Sequence, residues 1–176
     1  KKLLPGLRVG WVAAPEPAFE RLLALKQIED CGTSPLVQAA LHAFIAEGAQ
    51  EEHLARVRSA YLLRSKAMDE AIRIHVPDGA RFTRPSGGLF GWVALPETVD
   101  GDELFAAARE RGVLVGRGSL FHVSGGGRNT LRLTFASTAE EQIRSGIAVL
   151  GELLGQRWPK DRVPLRERDF EAVPIL

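Results

Sequence analysis

The sequence has few of the residues that build disulfide frameworks and metal sites. Its 176 residues include one cysteine, Cys31, and four histidines that stand far apart. A lone cysteine cannot form a disulfide within the chain, and the histidines show no metal-ligand spacing. We therefore expect no metal site, and we expect the protein to work in a reducing compartment, the cytoplasm.

Long apolar runs and an excess of one charge are also missing. The longest apolar stretches are much shorter than the roughly 20 residues that a membrane-spanning helix needs. Lys and Arg together number 23 and Asp and Glu 22, so the chain has no overall field that attracts nucleic acid or an acidic membrane. Motifs for a serine nucleophile elbow or a Walker phosphate loop do not occur. We expect no membrane partner, and any charge-driven function must be local.

The first half of the chain is predicted to be mostly helical after one short strand. Residues 7–14 form an apolar run of strand formers, which predicts a buried strand. A helix follows two prolines, and Ser34-Pro35 predicts the start of a second helix that ends near Gly48. Residues 51–74 then carry apolar side chains at helical spacing over roughly 36 Å, which is long enough to connect two domains.

The second half is predicted to alternate between strands and helices. The predicted elements are a strand at 88–95, a helix at 102–111, a strand at 113–115, a strand at 131–135 and a helix that opens at the capping box Ser137-Thr138-Ala139-Glu140. This order indicates a small α+β layer sandwich. Pro77-Asp78-Gly79 breaks the long helix before it, so we place a domain boundary near Val76.

Three glycine-containing motifs occur in order along the chain. Residues 1–11 read KKLLPGLRVGW, and residues 85–92 read PSGGLFGW. The third motif begins with the apolar residues 113–115 and continues with GSLF at 118–121, three glycines at 125–127 and NTLRLTF at 129–135. Each motif alone is weakly specific, but the three in this order at these separations are fairly specific.

Together these motifs resemble fold-type I, pyridoxal-phosphate-dependent aminotransferases. The subgroup that they resemble includes aminoadipate-type aminotransferases and the aminotransferase-like halves of MocR-type regulators, and the resemblance covers about residues 1–154. It implies an α/β fold in three parts. Residues 1–76 would be the C-terminal end of the cofactor-binding large domain with its connecting helix, residues 77–155 the small α+β domain, and residues 156–176 an irregular tail.

The resemblance also assigns three site residues. Lys1 falls on the lysine that links to pyridoxal 5'-phosphate, and Arg8 falls on the arginine that binds the cofactor phosphate. Arg132 falls on the arginine that holds the substrate α-carboxylate. Lys2 departs from the family pattern, which has threonine at that position.

The chemistry of these residue types agrees with the assignments. A lysine amine can form a reversible imine with the cofactor, and a planar guanidinium can hold a phosphate or a carboxylate through paired hydrogen bonds. Other roles stay open. Arg8, on a predicted apolar strand, could instead form a structural salt bridge. Arg132 alternates with Leu131 and Leu133, so it faces either solvent or a cleft.

The resemblance implies transamination from an amino acid to a 2-oxo acid by a homodimer. The chain begins with Lys1 rather than methionine and lacks the family's upstream half, so we expect a fragment that is inactive alone. An alternative is the effector domain of a MocR-type regulator, with nucleic acid as a partner only if a DNA-binding domain precedes residue 1. A third hypothesis is a packing or dimerisation module without catalysis.

Overall fold

The computed structural model describes residues 3–123 and 125–157. The α-helices in these ranges are α1 (Glu16–Glu29), α2 (Pro35–Ala46), α3 (Ala49–His75), α4 (Gly101–Glu110) and α5 (Glu140–Arg157). The β-strands are β1 (Arg81–Thr83), β2 (Phe90–Ala94), β3 (Gly116–Arg117) and β4 (Thr130–Thr134). Short 3-10 turns lie at Pro5–Leu7 and Gly118–Phe121. The chain divides into two compact units between Ser59 and Ala60, within α3.

The first unit contains the two predicted helices that precede α3. Both α1 and α2 have proline in the first helical turn, where the missing N–H costs nothing. Ser34 occupies the N-cap position of α2 as predicted, but its hydroxyl makes no capping hydrogen bond. Neither α1 nor α2 contains a buried residue within the described chain, so their apolar side chains contribute little to a core here.

The strand predicted at residues 7–14 does not form. Residue 7 ends the 3-10 turn and residues 8–14 are irregular. Arg8 has a φ of 53°, and the side chain of Trp11 is 88% exposed. A strand is stable only when a neighbouring backbone satisfies its N–H and C=O groups. Within the described residues no strand pairs with this segment, which explains why its strand-forming sequence was not sufficient.

The long helix predicted at residues 51–74 is confirmed as α3. Its 27 residues correspond to about 40 Å. The helix ends at His75, two residues before Pro77. Proline disfavours helical geometry in the residue before it, so the sequence itself supplies this boundary. The domain limits near Val76 stay a prediction.

The second unit is built on a four-stranded antiparallel sheet with the strand order β1-β2-β4-β3. The predicted strands at 88–95 and 131–135 are confirmed as β2 and β4, whereas β1 was not predicted. The prediction of a strand at 113–115 is wrong. The backbone N–H of Val113 donates to the carbonyl of Ala108 and closes the end of α4, so it is not available for strand pairing. The strand pairing starts only at Gly116.

One face of this sheet forms the hydrophobic core. It packs with α4, α5 and the C-terminal half of α3, in the layered arrangement that the sequence predicted. Among the core side chains are Val93, Leu131 and Leu133 of the sheet, Leu104 and Ala108 of α4, Met68 and Ile72 of α3, and Ile143, Ile147 and Leu150 of α5.

Helix α5 begins two residues later than the capping box predicted. It starts at Glu140, and the side-chain oxygen of Gln142 accepts a hydrogen bond from the backbone N–H of Ala139 at 3.4 Å. This is the return half of a capping box, and Ala139 has no side-chain oxygen to supply the other half. The helix continues to Arg157, so the predicted irregular tail does not start at residue 156. The rest of the tail lies outside the described residues.

None of the helices in the described ranges is long and apolar enough to cross a membrane.

We predict that Leu104→Ala lowers the free energy of unfolding of the intact protein by about 2 to 5 kcal/mol. Leu104 is 0% exposed, so truncation leaves a cavity between α4 and the sheet. Urea unfolding measures the change. Glu110→Ala, at an exposed position of the same helix, is the control and should change stability by less than about 0.5 kcal/mol. Equal effects of the two variants would contradict this account of the core.

Candidate active site

The face of the sheet opposite the core carries Arg132. In β4 the buried residues Leu131 and Leu133 alternate with the half-buried Arg132, as strand geometry predicts. Arg132 pairs with Trp92 of β2 on one side and with Gly116 of β3 on the other. It therefore stands on a central strand, where both neighbouring backbones fix its position.

Gly116 leaves the space beside Arg132 open. A Cβ atom at residue 116 would lie 3.1 Å from the Cβ of Arg132 and 3.4 Å from a ring carbon of Phe121. The first distance is shorter than an ordinary van der Waals contact, and the second is at its lower limit. Glycine at this position therefore lets the arginine and the Phe121 ring approach each other.

The guanidinium of Arg132 lies over two phenylalanine rings. Its Cζ atom is 3.8 Å from the ring centroid of Phe121 and 4.1 Å from that of Phe90. Both distances are within the range of cation–π attraction, which is worth about 0.5 to 2 kcal/mol depending on desolvation. The two rings therefore hold the arginine without neutralising its charge.

The guanidinium of Arg132 has no hydrogen bond or ion pair with an oxygen of the described residues. Arg128, in contrast, donates from Nε and Nη2 to Asp100, and Arg144 pairs with Glu70. A guanidinium has five N–H donors and no acceptor. Arg132 is therefore a half-buried cation whose donors are available to an anion, and a carboxylate matches their geometry.

A tightly packed turn places the Phe121 ring. Gly118 begins the 3-10 turn and is buried, and any side chain on it would collide with Thr130 and with the carbonyl oxygen of Gly127. The hydroxyl of Ser119 donates to the carboxylate of Asp102 at 2.8 Å. These contacts attach the turn to β4 and to the first turn of α4.

Asp100 connects the N-terminus of α4 to the glycine-rich loop between β3 and β4, which is described at residues 118–123 and 125–129. Its carboxylate accepts hydrogen bonds from the backbone N–H groups of Asp102 and Glu103, and it also accepts from Arg128 at 2.6 and 3.0 Å. The hydrogen bond from Arg128 holds the pKa of the Asp100 carboxyl below its ordinary value, and the two backbone donors act in the same direction. The same pair raises the pKa of Arg128.

Aromatic side chains extend the site along the sheet. The ring of Trp92 meets that of Phe121 edge to face, with centroids 5.7 Å apart, and it meets that of His122 at 6.4 Å. Sequence reasoning assigned no role in the site to Phe90, Trp92, Phe121 or His122. The signal for two of them was present, because Phe90 and Trp92 have the same parity in β2 and therefore share a face.

The structure shows no contact between Arg132 and the other two predicted site residues, Lys1 and Arg8. Lys1 lies outside the described residues. Arg8 belongs to the first compact unit, is exposed, and has no hydrogen bond or ion pair with the described residues. The predicted strand around Arg8 is absent, so the reason for expecting a buried partner no longer applies. Its proposed contact with the cofactor phosphate stays a prediction.

Solved structures that are similar to this chain include aminotransferases. The described fold superposes on LysN, the α-aminoadipate aminotransferase of Thermus thermophilus in complex with N-(5'-phosphopyridoxyl)-L-leucine, with a TM-score of 0.80 and 39% sequence identity. The match covers 86% of this chain and 39% of that protein. The predicted fold class, a part of the α/β fold of fold-type I aminotransferases, is confirmed.

Curated relatives include both enzymes and regulators. The 2-aminoadipate transaminase of Thermus thermophilus is 40% identical over 154 residues, which are 88% of this chain and 38% of the relative. An uncharacterised HTH-type transcriptional regulator of Bacillus subtilis, YdfD, is 32% identical over 154 residues, 88% of this chain and 32% of the regulator. The chain thus spans about 38% of the length of the transaminase and less of the regulator.

The family follows from the sequence as a whole. The sequence model of the family "Aminotransferase class I and II" matches residues 3–150, and the chain belongs to this family. Pyridoxal 5'-phosphate is the cofactor that family membership implies.

We predict that the link between α4 and the loop weakens in acid. Because the pKa of Asp100 is lower in the folded protein than in the unfolded chain, its charge stabilises the fold above the unfolded-chain pKa of about 3.9. This contribution is lost as the pH falls through the lower, folded-state pKa. The difference in free energy of unfolding between wild type and Asp100→Asn, measured by urea unfolding of the intact protein, should therefore shrink below about pH 4.

Asp100→Ala provides the comparison. Asparagine can still cap α4, whereas alanine cannot, so the alanine variant should lose a further 0.5 to 2 kcal/mol, roughly, at neutral pH. A difference between wild type and Asp100→Asn that stays constant down to acid pH would show that the charge pair with Arg128 contributes nothing.

Proposed function

We propose that the protein containing this chain is a pyridoxal-phosphate-dependent aminotransferase that moves an amino group from an amino acid to a 2-oxo acid. The observation that carries the proposal is the half-buried guanidinium of Arg132, which lies over two aromatic rings and has no oxygen partner among the described residues. A cation held in this way suits the α-carboxylate that every amino-acid and 2-oxo-acid substrate carries.

The described residues fit the phosphate end of the cofactor. Arg8 presents an exposed guanidinium without a partner in the described part of the chain, and a guanidinium can hold a phosphate dianion through paired hydrogen bonds. Once bound, the cofactor supplies an aldehyde that condenses with an amino group and a ring that accepts electrons from the substrate. In this proposal Arg8 binds the cofactor phosphate.

In this proposal Lys1 has the catalytic role and Arg132 binds the substrate. Lys1 attaches the cofactor and, once its amine is released, moves the proton at the substrate Cα. Arg132 binds the substrate carboxylate and thereby fixes the orientation of the substrate. Such orientation contributes by fixing the reacting groups in one geometry.

We further propose a cytoplasmic homodimer as the working form. The single cysteine of the chain, Cys31, is free and exposed, which suits a reducing compartment. The homodimer is an expectation from the family resemblance. The substrates of this homodimer would be an amino acid and a 2-oxo acid.

A second candidate function is the effector domain of a MocR-type regulator. The 32% identity to the HTH-type regulator YdfD supports it. The two functions use the same fold, so the described site does not separate them. A winged-helix domain encoded ahead of residue 1, together with specific DNA binding by the intact protein, would favour the regulator. Turnover of amino acids with 2-oxoglutarate would favour the enzyme.

We predict that Lys1 is the residue that links to the cofactor. Borohydride reduction of the intact protein with pyridoxal phosphate bound, followed by peptide mapping, should place the pyridoxyl group on Lys1. The adjacent Lys2 is an internal control, because it has the same chemistry one residue away. Labelling of Lys2 instead would show that the assigned register is wrong by one residue.

We predict that replacing Arg132 and replacing Arg8 have different consequences. Arg132→Ala should keep the cofactor spectrum but weaken amino-acid binding and turnover by roughly 10- to 150-fold, since a hydrogen bond to a charged group is worth about 1.5 to 3 kcal/mol. Arg8→Ala should release the cofactor more readily. Stopped-flow kinetics of the amino-acid half-reaction and equilibrium dialysis measure the two effects.

Arg132→Lys is the matched control for the first effect. It keeps the positive charge but loses the planar fork, so its affinity should lie between those of wild type and the alanine variant. If Arg132→Ala lost the cofactor but kept normal half-reaction kinetics, the two arginines would have been assigned the wrong roles.

A further inference from the structure

The contacts of Arg132 show how its side chain is held in place. Its Cζ atom lies 4.1 Å from the ring centroid of Phe90 in β2 and 3.8 Å from that of Phe121 in the 3-10 turn. Two elements far apart in sequence therefore supply one ring each to the same guanidinium. A long flexible side chain without such contacts would sample many rotamers and lose that freedom on binding a ligand.

The position of each ring is itself fixed by the fold. Phe90 stands in β2, which pairs with β4 over five residues. Phe121 packs edge to face against Trp92, and its turn begins at the buried Gly118. The rings are thus preorganised, and each faces the cation of Arg132.

Aromatic ring faces attract the cation but accept no conventional hydrogen bond from it. An aspartate or glutamate in the same place would hold the arginine equally well, but it would also occupy the donors that a ligand carboxylate needs. Holding Arg132 by ring faces keeps the side chain in place and leaves its N–H groups available.

We propose that Phe90 and Phe121 are positioning residues that preorganise Arg132 for a substrate carboxylate. This inference rests on the proposed role of Arg132 in carboxylate binding. It adds that the affinity for the carboxylate depends on the two rings, although neither ring touches it through a hydrogen bond.

The test measures equilibrium binding of a non-reacting acid to the intact, cofactor-loaded protein. The probe is 4-methylpentanoate, which is leucine without its amino group, and isothermal calorimetry gives its dissociation constant. Its uncharged amide, 4-methylpentanamide, is measured in parallel. Phe90→Leu and Phe121→Leu keep an apolar side chain but remove the ring, and each should weaken binding of the acid by roughly 3- to 10-fold. Binding of the amide should change by less than about 2-fold.

Two controls separate positioning from general damage. Phe121→Tyr keeps an aromatic face and should restore most of the affinity for the acid. Phe105→Leu removes a matched ring in α4, which lies under Arg117 at 5.5 Å, and it should leave acid binding unchanged. In an Arg132→Ala background, Phe121→Leu should have no further effect on the acid, because the ring acts through the arginine.

The outcomes distinguish this inference from the proposed function. If Arg132→Ala binds the acid as tightly as wild type, the carboxylate role of Arg132 fails, and the positioning role fails with it. If Arg132→Ala weakens binding of the acid but both leucine variants bind it as tightly as wild type, only the positioning role is overturned. If the leucine variants weakened binding of the acid and of the amide equally, the positioning role would also be overturned. The rings would then contribute apolar contact to any ligand and would not act through Arg132.

Discussion

The antiparallel pairing of β2 with β4 is the constraint on which the rest of the second unit depends. Its register places Trp92 opposite Arg132 and Val93 opposite Leu131. Side chains on paired strands alternate between two faces, so this one register separates an apolar core from a cationic, aromatic surface. A shift by one residue would bury the charge of Arg132 and expose the leucines beside it.

The glycine-rich loop is coupled to this sheet by short polar contacts and close packing. Gly118 packs directly against β4, where a side chain would collide with Thr130. At the other end of the loop, the side chain of Arg128 donates to the carboxylate of Asp100, which caps α4. The backbone carbonyl of Arg128 accepts a hydrogen bond from the N–H of Gly101 at 2.5 Å. In each contact the partner of the loop is already fixed at the start of α4 or in β4, so only the loop residues lose chain entropy. The loop can therefore present Phe121 to Arg132 at a defined distance.

This arrangement suits an enzyme and a ligand sensor equally well. A guanidinium held over aromatic rings can bind a carboxylate without chemistry of its own, so either kind of protein could use it. The relatives include both kinds of protein, because a transaminase and an HTH-type regulator each match 88% of the chain. What distinguishes the two functions therefore depends on groups other than Arg132 and its two rings.

The sequence by itself determined the elements whose signals are local. Proline at the start of α1 and α2, the helical spacing along α3 and the alternation around Arg132 depend on neighbouring residues only, so the pattern was sufficient to predict them. The spacing of short motifs was likewise enough to identify the family and to single out Arg132. It was not enough to predict β1, which has three residues and too short a pattern.

Tertiary structure decided everything that requires a partner from elsewhere in the chain. Residues 7–14 have a strand-forming sequence but find no strand partner in the described structure, and Val113 uses its N–H to close a helix instead of joining the sheet. The two rings over Arg132 come from positions 42 and 11 residues before it. Local sequence specifies backbone preference, but contacts between distant residues exist only after the strands have paired, and for that reason the surroundings of Arg132 could not be predicted from its motif.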